Sequence, residues 1–332
     1  MLCVNKAAVI LLLAASLDYL IGDPWNLPHP VQLMGWIISK FTKFIVNLSW
    51  GKLAKRLAGI ILGVGVIIGS GAIGYLIVRG ANWIDPLVGI AVEVIILASC
   101  FAGRSLRSAA VDVLKPLIDR DIETARSKLS LYVGRDTENL SESEILRAVL
   151  ETVAENATDG VTAPLFYAIL GAFLPSVGSV PLALAYKAAS TLDSMVGYRQ
   201  EPYTDLGWFS AQLEDRLTWL PCRLTVLTIS LLSGKPQQVW SLCRRDAILD
   251  PSPNSGWSEC AYAAALGVQL GGTNYYGGEI KEKPLLGDRA ESITPSKIDR
   301  ALQLTRYCFL IWLAIVLSVL LGGQFLPEIY SL

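Results

Sequence analysis

The chain has 332 residues, of which 52% are hydrophobic and 17% charged, against about 25% charged in an ordinary soluble domain. Its 28 basic and 29 acidic side chains leave a net charge of −1, which provides no general attraction for nucleic acid. A mean hydropathy of +0.46 excludes intrinsic disorder, while one histidine and six scattered cysteines without a CxxC pair exclude multi-imidazole metal sites and a disulfide framework.

In chain order, the first apolar segment covers about 7–22 and ends in a polar cluster, Asp18, Gly22-Asp23-Pro24 and Pro28-His29-Pro30. An ionisable residue at membrane depth, as Asp18 would be, is a functional candidate by default. The stretch 57–78 is long enough to cross a bilayer, which takes about 20 apolar residues. Its glycines (Gly59-xxx-Gly63, Gly65-xxx-Gly69, Gly69-x-Gly71-x-x-Gly74) formally include a dinucleotide fingerprint. Without a preceding strand they read instead as a surface for close helix packing. A further apolar segment, 84–103, carries Glu93 in mid-span.

Residues 104–160 hold 8 basic and 11 acidic side chains, a third of the charge of the chain. Within them, 141–160 reads as a helix opened by a Ser141/Glu144 capping box and stopped at Gly160. Arg147, Glu151, Glu155 and Asp159 recur every fourth residue, with Asn156 beside them. Such rows are most often solvated ion-pair edges. The alternative is a Mg²⁺ site, whose oxygen ligands are completed by substrate phosphates.

The next apolar stretch, 162–186, is interrupted by Pro164, Pro175 and Pro181 and reads as a bent, re-entrant or hairpin element. Lys187, Ser190, Thr191 and Ser194 then share one helical face, followed by Asp193 and Arg199. Lys187 there either snorkels to an interface or, with the hydroxyls and Arg199, suits a phosphate. Glu214-Asp215-Arg216 precedes the segment 217–233, which contains Pro221 and Arg223. Asp250-Pro-Ser252-Pro-Asn254 reads as a rigid loop leading into a helix over 257–269, which Gly271–Gly278 closes; 306–322 is a last membrane-length run. Lys and Arg concentrate in the short loops after the first and third apolar segments and in 234–304, which places those regions in the cytoplasm.

These readings describe an all-α integral membrane protein with several transmembrane helices, re-entrant or amphipathic helices and cytoplasmic helical loops. They suggest one membrane-embedded domain over 1–332, with its main polar regions at 104–160 and 187–304. A transporter or binding protein for an anionic metabolite is the alternative, supported by Glu93 and the break at Pro175.

Taken in order, the motifs resemble the adenosylcobinamide-phosphate synthase family of cobalamin biosynthesis. They are Asp18-x3-Gly22-Asp23-Pro24-x3-Pro28-His29-Pro30-Val31-x3-Gly35, Glu151-x3-Glu155-Asn156-x2-Asp159-Gly160, Tyr186-Lys187-x3-Thr191-x-Asp193-Ser194-x2-Gly197-Tyr198, Gly207-Trp208, Asp215 and Ser252-Pro253-Asn254-x-Gly256-Trp257. The chain departs from the family pattern at Asp250, where His is common. The resemblance implies an ATP-driven membrane ligase that joins a propionate carboxylate of cobyric acid to aminopropanol or its O-phosphate. On that basis Glu151, Glu155 and Asp159 are expected to hold Mg²⁺, and Asn156 to orient phosphate or substrate. Lys187 and Arg199, with Ser190 and Thr191, are expected to meet ATP phosphates; Asp193 or Asp215, with Lys187 nearby, to manage the amine proton; and Asp23, His29, Ser252 and Asn254 to bind substrate. Expected partners are the two substrates, the lipid bilayer, and either a second copy of the chain or other corrinoid-pathway enzymes. The active site is expected to face the cytoplasm.

Overall fold

The computed structural model describes residues 5–22 and 29–322. The polypeptide is mostly helical, and divides into two compact units, each assembled from separate stretches of sequence. Because both units are discontinuous, no shift of composition along the chain marks the boundary.

The first unit comprises Met1–Ala102, Ala163–Leu217 and Leu310–Leu332. Asn5 caps α1 (Lys6–Leu20) by accepting the Ala7 N–H at 3.0 Å. His29 caps α2 (Pro30–Val46), its Nδ1 accepting the Val31 N–H at 3.3 Å, with Pro30 at the first helical position, where no N–H is required. Two long apolar segments follow, α3 (Lys52–Ile84) and α4 (Pro86–Ala98). Then come α8 (Ala163–Ala172), α9 (Ser179–Val196) and the start of α10 (Trp208–Leu232).

The glycines of α3 divide by function. A Cβ at Gly71 would stand 3.1 Å from the Pro181 carbonyl, and one at Gly74 would lie 2.5 Å from Leu184, so these two admit α9 against α3. At Gly59 a Cβ would meet the Leu206 carbonyl at 2.0 Å, whereas Gly65 and Gly69 face open space. Close packing, rather than nucleotide binding, accounts for the first set.

The segment 162–186 resolves into the helix pair α8 and α9. Pro164 and Pro181 lie in their first turns, where proline is tolerated, and Pro175 lies in the connection. A Cβ at Gly171 would fall 2.2 Å from the Gly178 carbonyl, so the connection closes tightly. With 10 residues, α8 is about 15 Å long, half the roughly 30 Å hydrocarbon core.

The second unit comprises Gly103–Thr162 and Thr218–Phe309. It contains α5 (Gly103–Ile118), α6 (Ile122–Leu129), α7 (Glu142–Asn156), a π-helical turn (Ala157–Thr162), the remainder of α10, α11 (Pro236–Asp246) and α12 (Ser255–Leu266). The antiparallel strands β1 (Leu270–Tyr276) and β2 (Glu279–Leu286) and most of α13 (Pro295–Gly322) complete it.

The capping box of α7 forms as read, and Ile145, Leu146, Val149, Leu150, Val153 and Ala154 are its buried stripe. Gly160 does not stop the helix: the chain passes through the π-helical turn and is helical again from Ala163. A second departure from the sequence reading is the hairpin, which an all-α fold does not contain. Gly271–Gly278 does not close α12; Gly267, at φ +68, does. The Gly277-Gly278 turn, with both φ values positive, joins the strands as two-residue hairpin turns require.

Among the described residues, three stretches are long and apolar enough to cross a membrane: Lys52–Ile84, Pro86–Ile118 and Pro295–Gly322. In the first unit, Glu93 is 9% exposed and receives Lys6 Nζ at 2.6 Å, with Asn82 Nδ2 at 3.3 Å. The acid in mid-span is thus a neutralised pair within α1, α3 and α4.

Candidate functional site

The polar centre of the second unit is built where α7, α12 and the hairpin meet. Glu151, read from the sequence as an open ligand, is 2% exposed. One carboxylate oxygen accepts from Arg135 Nη2, and the other from Arg147 Nη1 at 3.5 Å and from the Gly271 N–H at 2.9 Å. Both oxygens are therefore engaged in hydrogen bonds, which gives Glu151 an anchoring role.

The two arginines also hold β1. Arg135 donates to Asn274 Oδ1 at 2.7 Å, and Arg147 to the carbonyls of Gly271 and Thr273, the latter at 2.9 Å. Asp136 receives the turn N–H groups of Gly277 and Gly278 at 2.9 and 2.7 Å. Gly271 is obligatory, since at its φ of +85 a Cβ would lie 1.9 Å from the Pro284 carbonyl.

Helix α12 is pinned to α7 by Ser258 Oγ, which donates to the Ala154 carbonyl at 2.6 Å and lies 2.9 Å from Thr158 Oγ1. The next residue, Glu259, is fully buried. Lys283 of β2 reaches its Oε1 at 3.3 Å, whereas Oε2 has no hydrogen-bond partner among the described residues. Burial is the main force pushing the Glu259 carboxyl up, to about 8; Lys283 opposes it, and Glu151, Glu155 and Asp250 add to it. Burial lowers the proton affinity of Lys283, but the surrounding carboxylates outweigh it and hold the ammonium. The lysine carries the charge of the pair, and the acid is the group driven toward neutrality.

A pH dependence follows. The folded carboxyl titrates near 8 rather than near the ordinary 4.5, so the folded state holds the extra proton between those values. The stabilisation is complete below about pH 4.5 and is lost as pH rises through about 8, on the order of 5 kcal/mol in all. We expect the melting temperature of the purified chain in detergent to fall from pH 5 to pH 9, and Glu259→Gln to flatten that fall. Parallel curves for the two proteins would refute it.

The remaining expected residues fall as follows. Glu155 and Asn156 are exposed at the end of α7, and the Asn156 amide donates to the Thr152 carbonyl at 2.9 Å. Asp159 lies inside the π-helical turn, out of the α-helical register that an i, i+4 row assumes. Such turns are frequent at functional sites. Among the described residues, no group of three or more acidic, His or Cys side chains forms a preassembled metal cage.

Ser252 and Asn254 shape the entry to α12. Ser252 Oγ accepts the N–H groups of Asn254 and Ser255, each at 3.2 Å, and its own N–H donates to Asp250 at 2.8 Å. Asn254 is 4% exposed and accepts from Arg223 at 3.2 Å. The Arg223 guanidinium stacks 4.4 Å over Trp257. Gly256 admits the turn, since a Cβ there would lie 2.5 Å from Asp250.

In the first unit, Lys187, Ser190, Thr191 and Asp193 lie on α9. Thr191 Oγ1 donates to the Lys187 carbonyl at 2.7 Å and Ser194 Oγ to the Ser190 carbonyl at 2.9 Å, so these hydroxyl protons are engaged within the helix. The Asp193 carboxylate turns toward the helix end, where a Cβ at Gly197 would meet it at 1.9 Å. Arg199 is exposed, and Asp215 is half-buried on α10, next to the buried Glu214. His29 is the α2 cap already described, and Asp23 lies outside the described residues.

Glu259, Lys283, Arg135 and Asn274 are the members of the second-unit centre that sequence reasoning missed. The signal for them was the pair of alternating runs flanking Gly277-Gly278, which places Lys283 on a strand. A lone acid in the apolar run Cys260–Leu266 and its approach was the signal for Glu259.

A helical chain with membrane-length apolar segments and a buried carboxylate–arginine–lysine centre has the character of a membrane-associated protein with a polar site apart from those segments. The CobD/Cbib protein family model matches residues 11–305, and the chain belongs to that family, as its motifs lead one to expect. It is 57% identical to the cobalamin biosynthesis protein CobD of Synechocystis sp. over 96% of this chain and 93% of the relative. It is 42% identical to CobD of Halalkalibacterium halodurans, over 93% and 95%. It is 40% identical to the cobalamin biosynthesis protein CbiB of Salmonella choleraesuis, over 93% and 94%. No solved structure matches the chain.

Proposed function

We propose that the chain acts in cobalamin biosynthesis as an ATP-dependent ligase, forming an amide between a propionate carboxylate of cobyric acid and aminopropanol or its O-phosphate. The observation that carries this reading is the second-unit centre. It has carboxylates in excess over ammonium, one buried carboxylate oxygen without a partner, and Glu155 exposed beside it. Together with relatives that span nearly the whole chain and are named for cobalamin biosynthesis, this favours chemistry on charged substrates.

A carboxylate does not condense with an amine at neutral pH until its oxygen becomes a leaving group. Phosphorylation by ATP makes an acyl phosphate, and attack by the amine then expels phosphate. The hard oxygen donors Glu155 and Asp159 fit Mg²⁺, which keeps several waters and takes only one or two protein carboxylates. Bound there, Mg²⁺ would supply charge neutralisation for the phosphates. Glu151 acts as the anchor that fixes Arg135, Arg147 and β1, and Asn156 orients phosphate or substrate.

In the first unit, Lys187 and Arg199 supply positive charge to a phosphoryl group, with Ser190 and Thr191 alongside. Asp193 or Asp215 accepts the proton that the amine loses. His29 and Asp23 belong to the substrate-binding set, as do Ser252 and Asn254.

The protein is read as a multi-pass membrane protein with this chemistry facing the cytoplasm, where ATP is. The three membrane-length stretches and the shortness of α8, which suits a re-entrant hairpin, support that reading. The ligase reading is favoured over the transporter alternative because Glu93 is paired with Lys6 and an unpaired buried carboxylate oxygen lies on Glu259, outside the membrane-length stretches.

The test is mass analysis of the products that the purified protein forms in detergent from cobyric acid, ATP and Mg²⁺ with aminopropanol or its phosphate. An amide formed only when ATP is present supports the ligase, and no product with either amine refutes it. For orientation, Gln200→Cys is suitable because Gln200 is exposed, whereas Asp205 is held by Arg56 at 2.9 Å. We expect labelling from the cytoplasmic side, and exclusively external labelling would overturn the inward-facing arrangement.

A further inference from the structure

Charge accounting around Lys283 leaves a specific deficit. Glu151 is matched by Arg135 and Arg147. That leaves Glu155, Asp250 and Glu259 to share the single ammonium of Lys283, whose proton affinity all of them raise. Asp250 is partly satisfied by the Ser252 N–H at 2.8 Å. Glu259 is not: it is fully buried, one oxygen meets Lys283 at 3.3 Å, and the other has no hydrogen-bond partner among the described residues. A buried acceptor without a partner is costly, more so when charged, so an oxygen kept in that state is a place for a donor.

The position lies beside groups that solvent reaches. Lys283, which pairs with Glu259, has its side chain 24% exposed, and Glu155 is exposed to solvent. Access to the buried oxygen therefore requires the Lys283 side chain to shift, since β1, with which the strand carrying it pairs, is held by the arginine clamp.

We propose that Glu259 is the binding residue for the substrate amine: the primary ammonium of the amino-alcohol donates to its partnerless Oε2 and, as a second cation beside the buried acid, holds the carboxyl in its ionised form while Lys283 remains on Oε1. The structure already shows this carboxylate holding one alkylammonium, and the free oxygen offers a second place of the same kind. The proposal rests on the amide-forming reading for the identity of the amine. Its core, a cation seat at Glu259, stands on the geometry.

The test uses the full chain in detergent, with 1-amino-2-propanol and Mn²⁺ titrated in separate arms by calorimetry. We expect saturable amine binding to the unmodified protein, at least about tenfold weaker binding in Glu259→Gln, and Mn²⁺ affinity unchanged within about twofold. Absence of amine binding to the unmodified protein overturns the proposal, as does unchanged affinity in folded Glu259→Gln. Loss of Mn²⁺ binding with amine binding retained also overturns it and gives the oxygen to a metal. Amine binding that depends on Glu259 without any amide product would reject the ligase and keep the seat. Product formation with undiminished amine affinity in Glu259→Gln would do the reverse.

Discussion

Replacing Arg135 by Met is expected to destabilise the second unit by about 3 kcal/mol, at the lower end of the 3–5 kcal/mol typical when one partner of a buried ion pair is removed. Arg135 is 9% exposed and Glu151 2%, so the carboxylate left behind has no route to water. Two contacts keep the loss from the upper end, Arg147 at 3.5 Å and the Gly271 N–H at 2.9 Å. The same substitution leaves Asn274, which is 2% exposed and accepts from Arg135 at 2.7 Å, with only the longer bond from Arg147 at 3.3 Å, and so loosens β1. The measurement is the melting temperature in detergent, beside the double variant Arg135→Met, Glu151→Leu. The double variant should recover part of the loss, because removing both charges removes the unpaired one. An unchanged melting temperature in the single variant would show that Arg147 alone satisfies Glu151.

Glu155→Gln should act on turnover and leave the fold intact. Glu155 is exposed, and surface substitutions usually change stability by less than about 0.5 kcal/mol. The amide keeps the shape of the side chain and removes its charge. If Glu155 holds the cation that neutralises the phosphates, amide formation should fall about 100-fold, equivalent to roughly 2.7 kcal/mol in the barrier, and more Mg²⁺ should be needed for half-maximal rate. The readout is the rate of amide formation from cobyric acid as Mg²⁺ is varied. Full turnover at every Mg²⁺ concentration would remove Glu155 from the site. Stability and activity should thus separate along one helix: the effect at the Glu151 level is structural, and one turn later it is catalytic.

The contrast between Glu151 and Glu155 also shows where sequence reasoning reaches its limit. Both occupy the same edge of α7 in a sequence that spaces its acids by four. What distinguishes them is Arg135 and the Gly271 N–H; the latter is 120 positions away. Nothing in the local pattern announces either. Asp159 likewise leaves the row because a π-helical turn begins at Ala157, a change of register to which i, i+4 counting is blind. The hairpin had a local signal in Gly277-Gly278, but Gly-rich loops also simply end helices.

The sequence by itself determined the long apolar helices α3 and α13, the capping box of α7, the helix after the Asp250 loop and the ordered motifs that mark the family. All of these depend on neighbours within a turn or two, or on the order of residues along the chain. Only the tertiary structure decided that Glu151 is clamped, that Glu259 is buried with one oxygen unmatched, and that Lys283 is its counter-ion. Burial and charge pairing are set by whichever distant segments fold against a side chain, and a buried carboxylate takes its properties from those partners rather than from its place in the sequence.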